Sequence, residues 1–117
     1  MKDNPIKGVM VPVLTPLTPN EDVDVKSLVR LVNYLIENGV HGIWAAGTNG
    51  EFASLTDKQQ VICIKTIVDA ASGRVPIIGN ISAASTKSTI EIGKAVHEIN
   101  LDGIAATPPY YYLNYQD

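Results

Sequence analysis

Short apolar runs alternate along this chain with longer stretches in which apolar residues return every three or four positions. The first run covers residues 9–14 and reads Val-Met-Val-Pro-Val-Leu. A polar loop follows over 15–22, and Asp24 stands where a helix N-cap is needed, because its carboxylate can accept the free N–H groups of a first turn. Val25, Leu28, Val32, Leu35 and Ile36 then share one face near the 3.6-residue period, and Asn38-Gly39 supplies the stop. The second apolar run is 42–46. Thr56 and Gln59 form a Thr-x-x-Gln capping box before a helix with Val61, Ile64, Ile67, Val68 and Ala71 on its face, closed by Gly73. The third run, 75–79, is apolar without alternation, as parallel strands covered on both faces are. Ser85 or Thr86 caps a third helix carrying Ile90, Gly93, Val96 and Ile99, and a fourth strand spans 102–107.

The order is β-α-β-α-β-α-β with a repeat of about 30 residues, which predicts a parallel sheet with right-handed crossovers. Pattern alone serves a doubly wound sheet and a (β/α)8 barrel equally well. No G-x-G-x-x-G follows the first strand, which speaks against a dinucleotide-binding version.

Composition narrows the function classes. At 117 residues, 45% hydrophobic and 18% charged, the chain is long enough for a real core. A net charge of −3 gives no electrostatic reason to expect nucleic acid or an anionic membrane as partner. No apolar run approaches the ~20 residues of a membrane-spanning helix, and the start of the chain lacks the apolar segment of a signal peptide. The lone Cys63 lies in an apolar helical stretch and reads as a small buried hydrophobe in a reducing compartment, so the expected location is cytoplasmic. His41 and His97 have no Cys, Asp or Glu at metal-ligand spacing, and no metal or other cofactor is expected.

The chemistry-bearing segments lie where strands should end. Residues 42–52 read GIWAAGTNGEF, a strand opening into Gly47-Thr48-Asn49-Gly50. Glycine permits a tight turn and close approach of a ligand to the backbone, and successive free N–H groups in such a turn cradle an anion. Glu51 reads as a structural residue of the following helix's first turn. Residues 105–112 read AATPPYYY, a second strand ending in a polar and aromatic cluster.

Together with the opening segment GVMVPVLTP at 8–16, these motifs resemble the N-terminal part of the pyruvate-dependent aldolase and lyase family that includes dihydrodipicolinate synthase and N-acetylneuraminate lyase. The resemblance implies a (β/α)8 TIM barrel. Such a barrel takes about 250 residues, so residues 1–117 are expected to supply the N-terminal portion of one barrel domain, with only the first four strands and three helices. It also implies a homo-oligomer, a tetramer by family, acting on 2-keto acid and aldehyde substrates. Thr48 matches the family's proton-relaying hydroxyl, and the Thr48-Asn49 turn matches the position that holds the keto-acid carboxylate. Tyr111 matches the tyrosine that enters the site, in synthases from a neighbouring subunit, while Tyr110, Tyr112 and Tyr115 read as interface packing.

Asn49 departs from the synthase pattern, which carries a second threonine there. Tyr112-Leu113-Asn114 departs from the Asn-Lys/Arg-Pro that usually follows Tyr111. Both favour a sugar-acid or other keto-acid lyase over dihydrodipicolinate synthesis. The family's Schiff-base lysine lies on the sixth strand, outside these residues, and Lys2, Lys7, Lys26, Lys58, Lys65, Lys87 and Lys94 precede the first strand or lie on helices. A non-catalytic binding or assembly piece is the reading of a different class, and a nucleotide-binding doubly wound domain is a third.

Overall fold

The computed structural model describes residues 6–112. Four strands form one parallel sheet: β1 (Met10–Pro12), β2 (Gly42–Ala45), β3 (Ile77–Asn80) and β4 (Gly103–Ala105). Three helices connect them: α1 (Val25–Glu37), α2 (Asp57–Ala71) and α3 (Thr86–Val96). The strands sit side by side in chain order, β1-β2-β3-β4. A doubly wound sheet reverses its order partway across so that helices cover both faces. Here the order never reverses, and this sheet is half of a (β/α)8 barrel.

The caps do what the residue types require. Asp24 accepts from Ser27 N–H at 3.0 Å and from the Ser27 hydroxyl at 2.7 Å. These bonds hold the Asp24 carboxyl below its usual pKa. Thr56 and Gln59 form the reciprocal capping box, and Ser85, rather than Thr86, caps α3 by accepting from Ser88 N–H. Every strand is shorter than its apolar run, and β3 is also shifted against it, ending at Asn80, one residue past the run.

Register explains which apolar residues are covered. Ile43 pairs with Ile77, and Ala45 with Gly79; this face is buried against the helices. Leu28 and Val32 from α1, and Cys63, Ile64 and Ile67 from α2, complete the same core. The opposite face carries Trp44 opposite Ile78, and Trp44 is 36% exposed. β3 is buried or half-buried along its whole length, as its continuous apolar run implies, whereas the inner face of β2 stays partly open at Trp44. Ile104 pairs with Gly79 on the helix side yet is 62% exposed, because no helix among the described residues covers it. Val25 and Ile90, assigned to apolar helix faces, are exposed as well, and Ile99 lies beyond the end of α3.

Glu51 is also placed differently from the expectation. It lies in the left-handed region at φ 56°, ahead of a single 3₁₀ turn (Phe52–Ser54), and α2 begins only at Asp57. No helix among the described residues is long and apolar enough to cross a membrane.

Cys63 is fully buried, and its Sγ lies 3.6 Å from Thr15 Oγ1. Thr15 gives its own proton to the Gly50 carbonyl at 2.7 Å, so the thiol is the donor to Thr15. Burial pushes the thiol pKa up, which keeps the unreactive protonated form at neutral pH. Iodoacetamide should therefore leave Cys63 unmodified in the folded protein and label it fully in denaturant. Rapid labelling under native conditions, read by mass spectrometry, would show that α2 does not seat as described.

Candidate active site

The site is built where β2 ends. Ala46 follows the last β2 residue and takes φ 52°, a left-handed conformation that costs a residue with a Cβ about 1 kcal/mol or more. That reversal brings Gly47, Thr48 and Asn49 over the end of the sheet. There they line a cavity of about 190 Å³ with Pro12, Trp44, Phe52, Asn80 and Thr107. Gly47 must be glycine: a Cβ there would sit 2.9 Å from Trp44 Cδ1. Gly50 is crowded less severely, with Thr15 Oγ1 at 3.0 Å and the Val13 carbonyl at 3.1 Å from where a Cβ would be.

The turn closes on itself through Glu51 N–H to the Thr48 carbonyl at 2.9 Å. Among the described residues, no backbone hydrogen bond uses the N–H of Thr48 or of Asn49. Two uncommitted amide donors on a cavity wall, with a hydroxyl and a carboxamide beside them, form a receptor for a small anion.

Tyr111 does not line this cavity. It is 87% exposed and sits at φ 85°. For an aromatic residue this is an outlier, with a strain of roughly 1–3 kcal/mol. Its ring meets that of Tyr112 edge-on at 5.0 Å. Tyr110, expected to pack at an interface, meets Phe52 edge-on at 5.6 Å within the chain. Tyr115 lies outside the described residues. Among the described residues, three of the five non-glycine residues with positive φ, Ala46, Glu51 and Tyr111, occur on the segments that carry the candidate site residues.

Asn80 and Thr107 were missed in the sequence. Each is a polar residue at the end of an apolar strand pattern, which in a barrel is the catalytic face. That signal was present but was outweighed by the glycine-rich turn. The helical lysines Lys26, Lys58, Lys65, Lys87 and Lys94 are exposed, two of them in solvated pairs, Lys65–Asp69 and Lys87–Glu91. None of the described lysines lines the cavity. His41 has a structural task instead, accepting from Val9 N–H on Nδ1 at 3.0 Å.

The dihydrodipicolinate synthetase family model matches residues 5–117, nearly the whole chain. The chain belongs to the dihydrodipicolinate synthetase family. It is 38% identical to the 4-hydroxy-tetrahydrodipicolinate synthase of Marinobacter nauticus, over 91% of this chain and 36% of that enzyme. The chloride-inhibited dihydrodipicolinate synthase of Acinetobacter baumannii, solved with pyruvate, is 38% identical. It superposes with a TM-score of 0.84 over 92% of this chain and 37% of that one. The N-acetylneuraminate lyase of Proteus mirabilis shares the fold, with a TM-score of 0.90 over 97% of this chain and 38% of the lyase, at 20% identity. This chain spans little more than a third of the length of the curated relatives it matches. The relatives at higher identity are named as synthases, although Asn49 departs from the pattern expected of them.

Proposed function

We propose that this chain supplies the carboxylate-binding and proton-relay half of a lyase or aldolase that forms a Schiff base between a lysine and a 2-keto acid. The observation that carries the proposal is the Gly47–Gly50 turn, held over the end of β2 with the N–H groups of Thr48 and Asn49 uncommitted at the cavity. Those amides bind the pyruvyl carboxylate and fix the keto carbon at a constant distance from the wall. The Thr48 hydroxyl both donates and accepts, so it can hand on a proton without becoming charged. Tyr111, strained and projecting from the surface, supplies the next hydroxyl in the relay to a neighbouring subunit's site. This reading requires a homo-oligomer, a tetramer by family resemblance, and a cytoplasmic location suits its substrates.

The nucleophilic lysine lies outside these residues, and the test needs the complete gene product. Pyruvate with borohydride should add one reduced pyruvyl group to one lysine, seen as a single mass shift. No adduct there would sink the Schiff-base mechanism. It would favour the non-catalytic assembly reading instead.

Asn49 supports a second reading within the same chemistry, a 2-keto-3-deoxy sugar-acid aldolase or N-acetylneuraminate lyase. Its carboxamide adds a donor and an acceptor where synthases place a threonine. Turnover of pyruvate with aspartate semialdehyde against polyhydroxy aldehydes separates the two.

A further inference from the structure

Behind the turn runs a buried chain of hydrogen bonds that joins three strand ends. Thr107 N–H donates to Ser82 Oγ at 2.9 Å, the Ser82 hydroxyl donates to Asn80 Oδ1 at 2.7 Å, and Asn80 Nδ2 donates to the Ala46 carbonyl at 2.7 Å. Both ends are backbone groups of fixed polarity. An N–H can only donate and a carbonyl can only accept, so every proton along the chain has one possible direction. The Asn80 amide is thereby oriented with its nitrogen toward Ala46. Gln60 of α2 donates from Nε2 to the Asn80 carbonyl at 2.8 Å and to the Ser82 carbonyl at 3.3 Å, which holds this segment from below. Asn80, Ser82 and Gln60 are each at least 96% buried, so water competes little for the bonds among them and to Ala46, while the bond from the exposed Thr107 is only partly buried.

The bond to Ala46 falls on the residue whose backbone is left-handed, at φ 52°. Such a conformation persists in a non-glycine residue only where the surroundings over-determine it. Ala46 also decides the course of the chain into Gly47, Thr48 and Asn49. At the far end of the turn, Thr15 holds the Gly50 carbonyl, so both shoulders are pinned by side chains more than 30 positions away in sequence.

We infer that Asn80 is a positioning residue: its carboxamide locks Ala46 in the left-handed state, aims the Thr48 and Asn49 amides into the cavity, and through Ser82 ties them to Thr107 on the opposite wall. The role in substrate binding rests on the keto-acid reading above; the mechanical role does not.

The test uses Asn80→Ala, Asn80→Asp and Ser82→Ala in the complete gene product. Asn80→Asp keeps the shape and still accepts from Ser82 but has no proton for Ala46. Hydrogen exchange without ligand should accelerate at least about tenfold at the Glu51 and Phe52 amides, which close the turn onto the Thr48 and Gly47 carbonyls, in Asn80→Ala and Asn80→Asp, while α1 changes less than about threefold. Ser82→Ala, which spares the bond to Ala46, should loosen the turn less than either. In Asn80→Ala, KM for pyruvate should rise about tenfold or more and kcat should fall with it, because the same turn carries both the substrate-binding amides and the Thr48 hydroxyl. If Asn80→Ala does not fold, the other two variants decide the matter. An unchanged turn in Asn80→Asp, or acceleration shared equally by α1, overturns the assignment. Failure of the wild-type protein to take a pyruvyl adduct refutes the keto-acid reading and leaves the exchange result to decide the mechanical one.

Discussion

Replacing Thr48 by valine in the complete enzyme should lower kcat by roughly 10²- to 10⁴-fold, the usual worth of a positioned proton-transfer group. Valine keeps the branched shape of threonine and removes only the hydroxyl. The backbone amides of Thr48 and Asn49 remain, so KM for pyruvate should move by less than about threefold. Thr48 is exposed at the cavity wall, and the melting temperature should change little. Steady-state kinetics with pyruvate and a thermal melt check all three statements. A kcat within about threefold of wild type would remove Thr48 from the relay. A raised KM at constant kcat would show that the hydroxyl binds the substrate and does not carry protons. Tyr111→Phe gives the companion measurement. If Tyr111 serves a neighbour's site, mixing it with Thr48→Val puts both lesions in one site of a paired dimer and leaves the other site intact. Random reassembly should then restore about a quarter of the wild-type rate.

Expressed by itself, the 117-residue chain should self-associate and show no turnover. The inner sheet face leaves Trp44 36% exposed and Leu14, at the strand ends, 60% exposed, while Ile104 on the outer face is 62% exposed. In the sheet as described, β1 and β4 each pair on one side only. Unpaired parallel edges beside exposed apolar residues recruit other strands, and closing a barrel is what normally removes such edges. Light scattering should therefore report oligomers or aggregates at micromolar concentration. Pyruvate with borohydride should give no mass shift, because none of the described lysines borders the cavity. A monomer with a sharp cooperative melt would contradict the first expectation. A stoichiometric adduct on one of the seven lysines would contradict the second.

Much of the fold is written locally. Asp24, the Thr56 and Gln59 pair, and Ser85 each satisfy N–H groups within three residues of themselves, so the helix starts could be read from adjacent letters. The Gly47-Thr48-Asn49-Gly50 turn was legible from its paired glycines, although what crowds Gly50 is Thr15 and Val13, more than 30 positions away. The alternation of strands and helices needed only hydrophobic period and length. Barrel against doubly wound sheet was beyond that reading, because both fold from the same local elements; the unbroken order β1-β2-β3-β4 decided it. Which strand face is covered was also hidden, since a continuous apolar run has no polar side to mark. The polar chain from Thr107 through Ser82 and Asn80 to Ala46 left no local mark either. Its bonds join residues 25 and 34 positions apart, and an asparagine at a strand end looks the same in sequence whether it meets water or a carbonyl. Local hydrogen bonding and hydrophobic period set the elements, while the left-handed turn at Ala46 and the wall facing it exist only because three strand ends are brought together by the sheet.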